Sequence, residues 1–278
     1  MSGWLKVDLH LHTREDPNDG GRMVVHSPEE LIRHAAGQGF QVLAITNHNQ
    51  LLYTMELAEF AEGLGILLLP GVEATLRGRH VLLYNFLGYR PSWNTFEQVR
   101  EAKGADQLVI APHPFYPVAE ALRDLFFEWI DLFDAVELSS LSMRGLDFNR
   151  RAAREARRRG LPLVGNSDTH FLYQLGRTYT MVRAEREVGS VLQAIRRGDV
   201  RVVAQPNGPL FVARFFLGGF RNRLLYALHR QQRRGRRAPG LSSPSSGTAT
   251  PRVLAGRRTG SLGRPLLPGS TGRESESE

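Results

Sequence analysis

The sequence predicts an α/β fold: a compact, irregular barrel of about seven βα units, followed by a basic amphipathic helix and an unstructured tail. Three observations predict it. Short apolar runs alternate with helical patterns over the first roughly 200 residues, the signature of βα units around a mostly parallel sheet. Histidines and carboxylates recur at the ends of those runs, where the strands of a parallel barrel converge on one face. After Pro206 the composition changes to arginine-rich amphipathic and then low-complexity sequence.

The elements follow in order. Residues 5–11 alternate apolar and polar side chains and read as a strand. A turn-rich segment leads to Ser27-Pro28-Glu29-Glu30, a helix start with Ser27 as cap, Pro28 in the first turn and Glu30 closing a capping box. That helix is expected to end near Gly37 or Gly39. Residues 42–46 read as a buried strand and 54–62 as a helix. Residues 66–69 form an apolar run before Pro70-Gly71, and 72–76 and 80–86 flank Arg77-Gly78-Arg79 as a hairpin. Helices are then expected over 96–102, 118–129, 147–159 and 189–197, with strands over 108–111, 135–138 and 163–164. Leu210, Ala213, Leu217, Phe220, Leu224 and Leu228 fall on one helical face, with a possible break at Gly218-Gly219. The implied organisation is a barrel over 1–206, an amphipathic segment over 207–232 and a low-complexity tail over 233–278 that buries too little apolar surface to fold.

Charge and composition narrow the chemistry. Residues 1–200 carry 22 basic and 25 acidic side chains, whereas residues 201–278 carry 14 arginines against 3 glutamates. The net positive charge of +8 therefore belongs to the C-terminal extension, the part suited to an anionic membrane surface or nucleic acid. With no cysteine in the chain, thiolate sites are excluded and any metal is held by His, Asp or Glu. The lack of cysteine fits a cytoplasmic protein. No run of about 20 uncharged apolar residues predicts a transmembrane helix, and the first residues lack the pattern of a secretory leader.

His10 and His12 share one face of a strand and are placed to chelate one ion. His48, His80, His113 and His170, with Glu73, Glu137 and Asp168, lie at or beside other strand ends. Such a donor set suits zinc, manganese or iron better than magnesium or calcium. His26, His34 and His229 have no motif context and read as ordinary flanking or solvated residues.

Five stretches occur in order: residues 8–13 (DLHLHT), 45–49 (ITNHN), 70–73 (PGVE), 111–114 (APHP) and 165–170 (GNSDTH). Together they resemble the PHP family (polymerase and histidinol phosphatase domains) over roughly residues 5–200. The resemblance implies a distorted (β/α)7 barrel carrying two or three divalent ions, and hydrolysis of phosphate esters. It implies one metal on His10, His12, Glu73 and Asp168. Glu73 would bridge to a second, with His113 and His80, and His48 and His170 would hold a third with a loop aspartate. Both Asp16 and Asp19 are candidates, and Asp19-Gly20 matches the family dipeptide better. Asn47 departs from the family, which commonly has Asp there, and removes a negative charge beside the site.

Two close metal ions make hydroxide available near neutral pH and neutralise phosphoryl oxygens. His113, Asp168 and His170 are the candidate catalytic residues, either imidazole being a possible proton donor to the leaving oxygen. Arg177 is a candidate phosphate contact. The expected substrate is a small phosphorylated metabolite or nucleotide. An oligonucleotide exonuclease aided by the basic tail and a non-catalytic, metal-stabilised scaffold are the alternatives.

Overall fold

Strand β1 (Gly3–Leu11) is the centre of the molecule: β2 (Val42–Ile45) runs parallel to it on one side and β8 (Thr178–Ala184) antiparallel on the other. The structure, a computed structural model, describes residues 3–140 and 148–235. The expected 233–278 tail lies outside the described residues from 236 onward. Nine described strands form one sheet in the order β7 (Leu163–Gly165), β6 (Ala135–Leu138), β5 (Leu108–Ala111), β4 (Arg79–Tyr84), β3 (Leu67–Leu76), β2, β1, β8 and β9 (Val200–Ala204). It is a nearly closed barrel. Beyond β7 (Leu163–Gly165) the chain returns to β1 through a parallel bridge between Leu11 and Thr169, with Thr169 N donating to His10 O and His12 N to Thr169 O.

The sheet is more mixed than the sequence predicts, with four parallel and four antiparallel pairings. Two insertions cause this. Residues 66–69 and 72–76 belong to one strand, β3 (Leu67–Leu76), which passes straight through Pro70-Gly71. It hairpins into antiparallel β4 (Arg79–Tyr84) through Arg77-Gly78, both at positive φ (48° and 74°), as a two-residue turn requires. Strands β8 and β9 (Val200–Ala204) were not anticipated. Residues 178–184 owe their strand character to Thr, Tyr and Val rather than to an apolar run.

The helices largely follow their local signals. Helix α1 (Pro28–Gly37) has the full Ser27/Glu30 capping box, and Thr54 and Thr95 cap α2 (Met55–Glu62) and α3 (Phe96–Ala102). The expected helix over 118–129 shrinks to one turn, α4 (Leu125–Glu128), and a 3-10 turn (Ile130–Leu132). The chain before it is held as a loop against β4: His80 N donates to Glu120 O, and the Arg79 guanidinium reaches the carbonyl of Ala119. Tertiary hydrogen bonds outweigh helix propensity there. The remaining helices are α5 (Asn149–Arg158), α6 (Val188–Arg197) and α7 (Pro209–Gly235).

Helix α7 is continuous across Gly218-Gly219. The glycines serve a close approach rather than a break. A Cβ at residue 218 would lie 3.1 Å from the Phe171 ring, and one at 219 would lie 3.1 Å from Met23 Sδ. Asn222 donates to Met23 O on the same face, and Phe215 meets Phe171 edge-on. The apolar face picked out by periodicity, from Leu210 to Leu228, is not the one that docks. Leu210, Leu217, Phe220, Leu224 and Leu228 are exposed.

Candidate metal centre

The barrel geometry gathers chain-distant donors at one end. His10 lies near the end of β1 and His12 just beyond it, His48 follows β2, and Glu73 bridges backbone-to-backbone with His48 from within β3. His80 enters on β4, His113 follows β5 (Leu108–Ala111), Glu137 sits in β6 (Ala135–Leu138), and Asp168 and His170 follow β7. Asp168 takes a left-handed backbone (φ 50°), an uncommon conformation for a non-glycine residue and one that recurs at functional sites.

Glu73 Oε2 is the hub. It lies 3.2 Å from His10 Nε2, 3.3 Å from His12 Nε2 and 3.2 Å from His48 Nε2, while Glu73 Oε1 lies 2.8 Å from His80 Nδ1. Asp168 Oδ1 faces the same imidazoles, 3.6 Å from His10 Nε2 and 3.3 Å from His12 Nε2. His170 lies between Asp168 Oδ1 (3.5 Å) and Asp19 Oδ2 (3.4 Å). His113 groups with His10 and Glu137, whereas His48 joins His80 on Glu73. That arrangement differs from the grouping implied by the sequence, which put His113 on Glu73 and His48 with His170.

The outer nitrogens are fixed by other carboxylates. His10 Nδ1 is 2.9 Å from Glu137 Oε2, which Asn166 Nδ2 also supports at 2.8 Å. Asp16 Oδ2 lies 2.9 Å from the Nδ1 atoms of both His12 and His48 and accepts from His48 N. Each bond leaves Nε2 aimed into the centre, the arrangement by which carboxylates orient metal-binding imidazoles. The two loop aspartates therefore differ: Asp16 is committed to Nδ1 atoms, and Asp19 faces His170 Nε2 in the cleft. His10 Nε2, His12 Nε2 and His113 Nδ1 are buried without a hydrogen-bond partner. Unpaired buried nitrogens are costly, and divalent cations held in the groups these residues form would satisfy them. The donor set fits such ions.

Electrostatics agrees. Burial disfavours protonation of His10, yet Glu137, Glu73 and Asp168 outweigh it and hold the pKa well above the ordinary histidine value. His12 is raised in the same way against its burial, by Asp16, Asp168 and Glu73. Burial alone would raise Glu73 and Asp168, but the surrounding imidazoles depress both. The cluster is built to share positive charge among carboxylates.

Several residues take parts that the sequence did not reveal. Asn47 is not aimed at the donors. Its Oδ1 accepts from Thr13 N at 2.9 Å and its Nδ2 donates to Thr13 Oγ1, tying β2 to the end of β1. His26 is no surface residue: it is buried, its Nε2 lies 2.9 Å from His12 O, and burial pushes its pKa down to about 4. Asp8 accepts from the amides of Ser167 and His10, and burial raises its pKa to about 7. Arg177 lies away from the centre, bonded to Asn207 Oδ1 and Pro206 O and stacked on Phe211, where it anchors the start of α7. Among the described residues, the cation lining the cleft is Arg223 of α7 instead. With Asp19, His113, Tyr116 and His170 it lines an open cleft of about 630 Å³ over the donors. Nothing local in the sequence distinguishes Arg223 from its arginine neighbours.

Gly20 explains the Asp-Gly dipeptide. A Cβ there would collide with the carbonyl oxygens of Arg14 and Asp16. Gly20→Ala is thus expected to shift Asp16 and Asp19, to lower kcat/KM on the order of 10²-fold and to lower the melting temperature. Kinetics and a thermal melt on one preparation check this, and unaltered kinetics would refute it.

Comparison with known proteins agrees with this architecture. Residues 147–200 match the PHP-associated family. Over that segment the chain is similar to PHP proteins. The chain is 29% identical over 145 residues to an uncharacterized protein of Methanocaldococcus jannaschii, spanning 48% of the chain and 81% of that relative. It is 35% identical over 101 residues to a 5'-3' exoribonuclease of Haemophilus influenzae, but spans only 35% of each. Its fold is shared with PsfC from Pseudomonas syringae PB-5123, at 18% identity and a TM-score of 0.54, covering 83% of this chain and 99% of that one.

Proposed function

We propose that this chain is a metal-dependent hydrolase of the PHP family and hydrolyses esters of small phosphorylated metabolites or nucleotides. The convergence of His10, His12 and His48 Nε2 on one oxygen of Glu73, within 3.3 Å, carries the reading. His10, His12, Glu73 and Asp168 would hold one ion, and His48 and His80 with Glu73 a second. Asp19 and His170 would complete a third, with His113 serving beside Glu137. Zinc, manganese and iron suit these donors. Divalent ions bound there supply Lewis-acid stabilisation of a phosphoryl group and hydroxide near neutral pH.

The residues supply the rest. Asp16 and Glu137 fix the orientation of the imidazoles. His113 and His170 line the cleft, where an imidazole not engaged by metal would protonate the leaving oxygen. Arg223 reaches the cleft and would pair with a non-transferred anionic group. Protein loaded with Mn²⁺ or Zn²⁺ is expected to turn over members of a phosphomonoester and diester panel. Absence of turnover at full metal occupancy would sink the proposal and favour a metal-stabilised scaffold.

Arg223→Ala is expected to lower kcat/KM about tenfold, mainly through KM, because it removes an exposed charge-assisted contact. An unchanged KM would remove Arg223 from substrate recognition. A second reading, oligonucleotide exonuclease, is favoured by the segment of identity to the exoribonuclease and by the basic C-terminal sequence. Cleavage of short oligonucleotides that disappears on removal of residues 236–278, with no turnover of small esters, would put it first.

A further inference from the structure

We propose that α7 docks this protein peripherally on an anionic lipid surface, its outward apolar stripe entering the headgroup layer. The helix has two opposed faces. Gly218, Gly219 and Asn222 hold one of them against Met23 and Phe171 of the barrel. The face turned away carries Leu210, Phe216, Leu217, Phe220 and Leu224, exposed to 84, 68, 69, 71 and 50%. At 3.6 residues per turn these five side chains occupy one arc of about 120°. That is a continuous stripe rather than the scattered apolar residues normal for a surface.

Charge decides what covers it. Arg214 and Arg221 border the stripe on one side and Arg223 borders it on the other. The helix Pro209–Gly235 carries six arginines and no acidic residue. Between Asp199 and Glu274 the chain has no carboxylate side chain at all. A stripe of Leu and Phe flanked by arginine on both sides matches a layer whose surface is anionic and whose interior is apolar. A symmetric contact between two copies would instead bring these arginines together, with no acid on the helix to pair them. Among the described residues no helix is long and apolar enough to cross a membrane, so the attachment lies on the surface. Arg223 belongs to both the stripe's edge and the cleft wall, so docking would bring the cleft mouth close to the headgroups.

The test uses the full chain and vesicles of phosphatidylcholine with or without phosphatidylserine. Wild-type protein is expected to co-sediment with the phosphatidylserine vesicles, less with phosphatidylcholine alone, and less as salt rises. Phe220→Glu with Leu224→Glu is expected to weaken binding at least tenfold with the circular dichroism and melting temperature unchanged, since both side chains are exposed. Phe220→Trp gives a second readout: a blue shift of the indole emission on adding vesicles. Equal binding by the Phe220→Glu, Leu224→Glu variant would mean that arginines act without the stripe, and would overturn the proposal. So would an indole emission from the Phe220→Trp variant that does not move. A dimer dissolved by the same double variant, in protein that ignores vesicles, would assign the stripe to a second copy. Stripe-dependent capture of single-stranded RNA without vesicle binding would assign it to nucleic acid.

Discussion

Glu73→Gln is expected to lower kcat/KM on the order of 10³-fold or more and to cut the metal content per chain in the same preparation. The substitution preserves shape and removes a charge at the one atom that three imidazole Nε2 atoms face. Glu73 is buried, and the imidazoles of His80, His10 and His48 hold it ionised against the effect of that burial. A neutral amide offers those nitrogens and any cation much less. Glu73→Ala should be worse, since it also leaves a cavity among buried polar groups. Elemental analysis beside a kinetic assay decides the matter. A Glu73→Gln protein with wild-type metal content and turnover would show that the hub is structural only.

Metal removal is expected to have the second largest effect. A ligand at about 1,000 times its dissociation constant stabilises a fold by roughly 4 kcal/mol. For a barrel of this size that is about 8–16 °C in melting temperature, lost on chelation and restored by adding the ion back. The pH dependence has a definite sign. In the metal-depleted protein the raised pKa values of His10 and His12 keep protons on the cluster above pH 6.5. Their contribution to stability is complete below the unfolded value near 6.5 and is lost as pH rises through the raised folded values. Cation binding must displace those protons, so apparent metal affinity climbs over the same interval. The gap in melting temperature between loaded and depleted protein therefore widens with pH. Calorimetry in buffers of different ionisation enthalpy counts the protons released. An affinity flat with pH and no proton release would show that the imidazoles were neutral from the start.

Much of this centre was legible from one chain. The pairing of His10 with His12 follows from the two-residue period of a strand, and the capping box at Ser27 follows from four consecutive residues. The motif around Asp168 carries its own turn. Other features resisted reading because their causes are not local. The loop over 118–124 contains helix-forming residues, but its hydrogen bonds go to β4. Neither Arg177 nor Arg223 sits in a local sequence that fixes its partner. Only the docking of α7 sends one to Asn207 and the other to the cleft.

The barrel class, the donor types and their places at strand ends could be read from the chain alone, because strand period, capping and the absence of cysteine are short-range facts. The hydrogen-bond commitments of Asp16 and Asp19 and the burial of His26 depend on contacts between distant segments, and emerge only in three dimensions. So does the choice of which face of α7 meets the barrel. Hydrophobic periodicity shows that a helix has an apolar face, but not what that face touches. The glycines at 218 and 219 let the backbone approach Phe171 and Met23 more closely than any leucine could, so this face docks and the leucine-rich stripe stays exposed.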